Sequence, residues 1–358
     1  MNLSFRHALF AYHLVFTLIF FGYIVNYGGD ALGYWTLQAD SSQGAETWIE
    51  YFGLSTFFIQ WLNYIPSKIF QLPFWAGNLI YGMLTAFAWL KLYSYVVKQF
   101  PDIPILALKT IFLLPNMHFW TAGVGKESLI WICLVLFFVH MSFDKKSLAI
   151  MCLSIVGMFL IRPIYASFLI FILCFWGLMH SPYARKYTYG AITILLGILV
   201  LALRQTLLAA HLPDLSWNSL QTYLDFQMQF LGGYQANSYI PMEKYSFSLA
   251  LFTFYFRPFP WEGDGIWLFM AGVENILGCL LFVTAVVLSL KEKFWDNKYI
   301  LVYGMLFLIL LSILGSQVLN NFGIILRYKS VAMIFLYLWA INTVFSVLKL
   351  ILAKHFTK

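Results

Sequence analysis

Apolar runs of about 20 residues recur along this chain from end to end, and each is long enough to cross a hydrocarbon core of roughly 30 Å as a helix. Inside a bilayer every backbone polar group must find its partner within the protein, which leaves helical bundles and closed barrels. The runs are continuous rather than alternating, which argues against the barrel. Composition points the same way: 61% of residues are hydrophobic, 20% aromatic and only 10% charged. A soluble globule has too little interior to hide that much apolar surface. The expected fold is all-α, a polytopic transmembrane helical bundle that forms one integral membrane domain over residues 1–358, with large outer loops at about 28–73 and 210–265.

The spans read from the runs are 8–27, 74–97, 103–121, 128–143, 147–161, 164–180, 189–209, 266–290, 299–316 and 331–350. Ten spans put both termini on one side. With that side cytoplasmic, the inner turns at 98–102, 144–146, 181–188 and 291–298 all carry lysine or arginine, among them Lys98, Lys145, Lys146, Arg185, Lys186, Lys291, Lys293 and Lys298. Short basic turns mark the cytoplasmic side. The expected topology is therefore N-in/C-in, and it accounts for the net charge of +7 without invoking nucleic acid. The first run follows Arg6 and ends in Asn26-Tyr27-Gly28-Gly29-Asp30, with no small-residue cleavage site, so it reads as a retained anchor.

Two stretches need separate treatment. Residues 53–70 are apolar but short and end between Pro66 and Pro73, and if they spanned, every later loop would change sides. They read as a re-entrant or interfacial segment on the outer side. Residues 147–180 are too long for one span and have basic flanks at both ends. Two short spans meeting at Arg162-Pro163 resolve this, because proline suits the first turn of a new helix. Cys133, Cys152, Cys174 and Cys279 all fall in apolar runs and read as small buried hydrophobes, not as disulfide or metal ligands.

The few charges outside the basic turns are the chemical candidates. Asp30 follows the first span, and its carboxylate suits a general base for an acceptor hydroxyl. Lys126 and Glu127 open the fourth span after the irregular stretch Pro115–Gly125, which contains His118 and Trp120. Arg162 sits at the break between two spans, where an unpaired arginine is costly and its planar fork suits phosphate. Arg257-Pro258-Phe259-Pro260-Trp261-Glu262 holds a guanidinium and a carboxylate in a stiff segment. Glu274 and Asn275 lie two turns into the next span, suited to partner an arginine. Arg327, Tyr328 and Lys329 enter the last span from outside, against the positive-inside trend. Each has a plainer reading: a solvated loop acid for Asp30, an ion pair with Glu127 or Glu274 for Arg162, an interfacial turn for 257–262, and headgroup contact for Arg327. There is no His-Glu-x-x-His spacing, P-loop or Gly-x-Ser-x-Gly elbow.

Taken in order, Asp30, Phe119-Trp120, Gly125-Lys126-Glu127, Ile161-Arg162-Pro163, Phe256–Glu262 and Asn321 with Arg327-Tyr328 resemble the bacterial O-antigen and exopolysaccharide polymerases. The resemblance implies a multi-pass protein of the bacterial inner membrane. Its outer-face site would transfer glycan from an undecaprenyl pyrophosphate carrier, without a metal or cofactor, alongside other polysaccharide assembly proteins. Asp30 or Glu262 would take the acceptor proton, with Arg162 and Arg257 as the catalytic cations. Lys126, Glu127, Arg327, Tyr328, Trp120 and Trp261 would bind substrate. The alternatives are a membrane glycosyltransferase using a polyprenyl-phosphate sugar donor and a non-enzymatic transporter of lipid-linked oligosaccharide. The lone Asp30, with no second acid beside it, departs from metal-dependent glycosyltransferases with paired acids in the first loop.

Overall fold

The computed structural model describes residues 3–40, 44–180 and 238–356, with scattered positions between 190 and 229. The described residues are helical, with one isolated antiparallel bridge, Tyr239 to Asn321. Helices Leu3–Tyr27 (α1), Phe74–Gln99 (α4), Pro163–His180 (α9), Ile266–Glu292 (α11), Tyr299–Val318 (α12) and Met333–Phe356 (α14) supply six segments long and apolar enough to cross a membrane. Between them lie Asp30–Thr36 (α2), Thr56–Tyr64 (α3), Ile105–Ile111 (α5), Pro115–Thr121 (α6), Lys126–Val139 (α7), Lys145–Ile161 (α8), Phe247–Phe256 (α10) and Phe322–Ser330 (α13). The chain is a polytopic helical membrane protein. The span drawn at 189–209 and the first half of the outer loop drawn at 210–265 fall largely outside the described residues.

Neighbouring helices pack in a continuous series, α1 on α4, α4 on α7, α7 on α8, α8 on α9, α9 on α12, α12 on α14 and α14 on α11. Small residues at the seams let the backbones approach. Gly82 of α4 faces Thr17 of α1, and Gly315 of α12 faces the Phe254 ring of α10. Ion pairs close one end of the bundle, with Asp102 on Lys349 and Glu292 on Lys354.

The break at Arg162-Pro163 is present as read: α8 ends at Ile161, Arg162 is extended and α9 starts at Pro163. Residues 53–70 form the nine-residue α3 and a five-residue π-helical turn, Ile65–Ile69. Together they reach about 21 Å at 1.5 Å per residue, too short to span.

The reading of 103–121 as one span is corrected. The segment is two seven-residue helices, because Pro115 has no N–H to give and holds Leu114 extended. Then α6 and α7 meet at a 110° bend across Ala122–Gly125, and with that pair counted as one broken span the candidates among the described residues number seven.

Irregular backbone at such a bend is tolerated only when its polar groups are satisfied within protein. Here the Val124 N–H donates to Asn78 Oδ1 at 3.0 Å, and the Ser128 hydroxyl caps the Gly123 carbonyl. A Cβ on Gly123 would run into the Phe20 ring and Asn78 Oδ1. Gly123→Ala is therefore expected to cost about 1–3 kcal/mol, read as a lower thermal midpoint of the detergent-solubilised protein. An unchanged midpoint would mean that the bend is slack.

Candidate functional site

A cavity of about 400 Å³ opens at the end of α1 that leads into α2. One wall is apolar and aromatic, from Phe20, Tyr23 and Ile24 of α1 with Trp120 of α6, and the other carries Asp30, Glu127 and Arg327. Gly28 and Gly29 have φ of 77° and 143°, backbone that a side chain would strain, so α1 passes into α2 within two residues and delivers Asp30 to the rim.

Charges from four elements meet here. The Arg327 Nη1 donates to Asp30 Oδ2 at 2.7 Å, and its Nε lies 2.9 Å from Glu127 Oε1. The same oxygen stands 3.6 Å from Arg162 Nη2. Arg162 donates to the Tyr165 hydroxyl at 2.8 Å and lies over the Tyr328 ring, 4.0 Å from its centroid. Lys126 turns aside, donating to the hydroxyls of Ser55 and Thr56 at 2.9 and 3.1 Å, so it ties the first long loop to α7 and does not line the cavity. Three cations thus surround two carboxylates, an excess of one positive charge. Burial pushes the Asp30 carboxyl up, but Arg327, with Lys126 and Arg162 behind it, outweighs burial and holds it below the ordinary carboxylate range.

Arg257 and Glu262 form a second cluster, which corrects the expectation that all the charges share one pocket. Arg257 Nε donates to both Glu262 oxygens at 2.7 and 3.0 Å, and the Phe259 N–H adds a third bond at 2.7 Å. These bonds make Glu262 a clamp on its own loop. Trp261 projects from this loop, 74% exposed and stacked on Phe259. Neither Arg257 nor Trp261 lines the cavity.

The two clusters flank α13, which carries Arg327 into one and Lys329 behind the other. The Lys329 ammonium, 1% exposed, donates to the Tyr255 and Arg257 carbonyls, each at 3.0 Å, and to Asn275 Oδ1 at 2.8 Å. Burial lowers its pKa to about 7, with Glu274 opposing. Asn275 returns a bond to the Pro258 carbonyl at 2.8 Å. Glu274, read as an arginine partner, instead accepts from the Asn116 N–H at 3.0 Å.

Sequence reasoning assigned Lys329 no part beyond its charge. A lysine entering from the outer side looks like headgroup contact until its carbonyl partners are known. His13 was missed altogether. It is fully buried in α1, with its Nδ1 2.8 Å from the Nδ1 of His118 and its Nε2 2.7 Å from the Thr85 hydroxyl. His118 is likewise fully buried and its Nε2 lies 2.8 Å from the Phe112 carbonyl.

No family model, curated protein or solved structure matches this chain.

Among the described residues no group of three or more His, Cys, Asp or Glu is arranged to hold a metal ion. What the cavity offers is a fixed guanidinium, a carboxylate with a free oxygen and an aromatic wall. Asp30, with its carboxyl pKa held down by Arg327, adds stability above its unfolded pKa and loses it as pH falls through the folded value. The difference in thermal midpoint between wild type and Asp30→Asn should therefore be full at neutral pH and vanish in acid. A difference that grows toward low pH would show that the ion pair does not form.

Proposed function

We propose that this chain is a membrane glycosyltransferase of bacterial surface-polysaccharide assembly, a polymerase that moves glycan from undecaprenyl pyrophosphate to a sugar acceptor at the outer face of the inner membrane. The observation that carries the reading is the cavity itself, aromatic and apolar on one wall, with Asp30, Glu127 and Arg327 on the other. An amphipathic donor, with a diphosphate and sugars at one end and a hydrocarbon chain at the other, matches both walls. The reading places the basic turns in the cytoplasm and the cavity at the outer face.

In this mechanism the acceptor hydroxyl gives its proton to Asp30 while its oxygen attacks the anomeric carbon of the donor sugar. The bond between that carbon and the phosphate oxygen breaks, and the departing diphosphate gathers negative charge. Arg327 meets it directly, with Arg162 and Lys126 adding positive potential from behind. Donor phosphate would displace Asp30 from Arg327 Nη1, so binding of the donor also frees the base. In this reading Asp30, which lines the cavity, is the base, and Arg257 and Glu262 hold their own loop through the bonds between them.

The buried groups Glu274, Lys329, His13 and His118 are the observation that speaks for the exporter, since transport sites place ionisable residues within the membrane. The readings separate by product. Arg162→Ala and Asp30→Asn should insert normally, yet abolish long-chain polymer and leave single repeat units on the carrier at the outer face, seen by gel ladders and carrier-lipid analysis. Repeat units lacking one sugar would instead indicate a single-sugar transferase. Complete units held on the cytoplasmic leaflet would indicate an exporter, and normal ladders from both variants would remove the site.

A further inference from the structure

On one side of the cavity α1 and α11 meet through aromatic side chains. α1 packs along α4 and α11 packs along α14, while the seven-residue α6 touches both α1 and α11. At the cavity end, α1 and α11 are joined by three aromatic rings. Tyr23 meets Trp267 edge to face at 5.9 Å, and Phe119 of α6 stands 5.3 Å from Tyr23 and 5.4 Å from Trp267. Tyr23 is itself a wall of the cavity. Beyond the rings the surface is apolar and open, with Trp267 42%, Met270 45% and Ile266 61% exposed. Side chains at such a surface change rotamer in picoseconds to nanoseconds, whereas packed helices do not part so easily.

We propose that the seam between α1 and α11, closed by Tyr23 and Trp267, is a lateral portal through which the hydrocarbon chain of a polyprenyl diphosphate leaves the cavity for the bilayer. The proposal rests on the reading that the cavity takes an anionic lipid-linked head. Charge complementarity names the occupant. Arg327 and Arg162 balance Asp30 and Glu127, and the positive charge of Lys126 behind them calls for an anionic head, while the aromatic seam beside it calls for an apolar tail on the same molecule. A single chain passing between Tyr23 and Trp267 needs only side chains to turn, while α1 and α11 stay packed on α4 and α14, which favours a single-chain isoprenoid over a two-chain phospholipid. Glu127 and Asp30 hold Arg327 at the inner end of this path, so the head is caught while the tail stays in lipid.

The test uses the full-length protein in nanodiscs and a farnesyl diphosphate bearing a diazirine near its tail end, with diazirine-tagged farnesol as the neutral control. Cross-links mapped by mass spectrometry should fall on the segments carrying Tyr23, Phe119 and Trp267. Excess inorganic pyrophosphate, which shares only the head site, should suppress them. Arg327→Ala should reduce them at least fivefold, whereas Trp267→Ala, at an exposed position that tolerates truncation, should shift their position without abolishing competition by pyrophosphate. Farnesol should label the lipid-facing helices at large. Diphosphate labelling spread like that of farnesol, or centred on another seam such as α8–α9, would overturn the portal, as would an unchanged map in Trp267→Ala. Labelling at the portal of a protein whose deletion leaves full-length polymer intact would sink the polymerase reading and leave the portal standing. Polymer loss without portal labelling would do the reverse.

Discussion

One carboxylate oxygen holds the charged end of this bundle together. Glu127 Oε1 lies within ion-pair distance of both Arg162 and Arg327, and its side chain is only 4% exposed. Two guanidiniums in such a place repel each other by about 4 kcal/mol if roughly 4 Å apart at an effective dielectric near 20. A shared anion turns that repulsion into attraction on both sides. Removing one partner from a buried pair typically costs about 3–5 kcal/mol, because a charge is left without compensation. The positions of α7, α9 and α13 relative to one another follow from this requirement. Tyr165 and Tyr328 complete the shell by facing their hydroxyl and ring to Arg162.

The broad outline was legible because it depends on local chemistry. Runs of apolar residues mark α1, α4, α11, α12 and α14, and Pro163 marks the division of 147–180, since a proline ring suits the start of a helix and not its interior. Pro115 carried the same signal, and a long apolar run masked it, so 103–121 read as a single helix. The site was legible in part. Asp30, Glu127, Arg162 and Arg327 stood out because charges in an apolar chain are few, and the structure brings them together. What could not be read was which charges share a pocket. The three bonds on Glu262 come from within its own loop, and they separate Arg257 from the rest. The pairing of His13 with His118 joins residues 105 positions apart and leaves no local pattern.

The short helix α13 links the two clusters mechanically. Its one face presents Arg327 to Asp30 and Glu127, and Lys329, two residues on, reaches the carbonyls at the end of α10. A rotation of α13 would disturb both at once. Asn321 fixes the start of this helix, its side chain accepting the N–H groups of Gly323 and Ile324 and the hydroxyl of Ser238.

The histidine pair has a consequence of its own. The Phe112 carbonyl can only accept, so His118 must carry hydrogen on Nε2 and leave Nδ1 bare. With both rings neutral, His13 must then be the opposite tautomer, donating from Nδ1 and leaving Nε2 bare toward the Thr85 hydroxyl. That hydroxyl has one hydrogen and three acceptors within reach, the His13 nitrogen and the Tyr81 and Gly82 carbonyls of its own helix. The two ring hydrogens point the same way, from α1 toward the turn before α6, and neither ring can reverse alone without setting two lone pairs or two hydrogens face to face. The pair has a polarity, and the rotor of a threonine on another helix decides whether its outer nitrogen is satisfied.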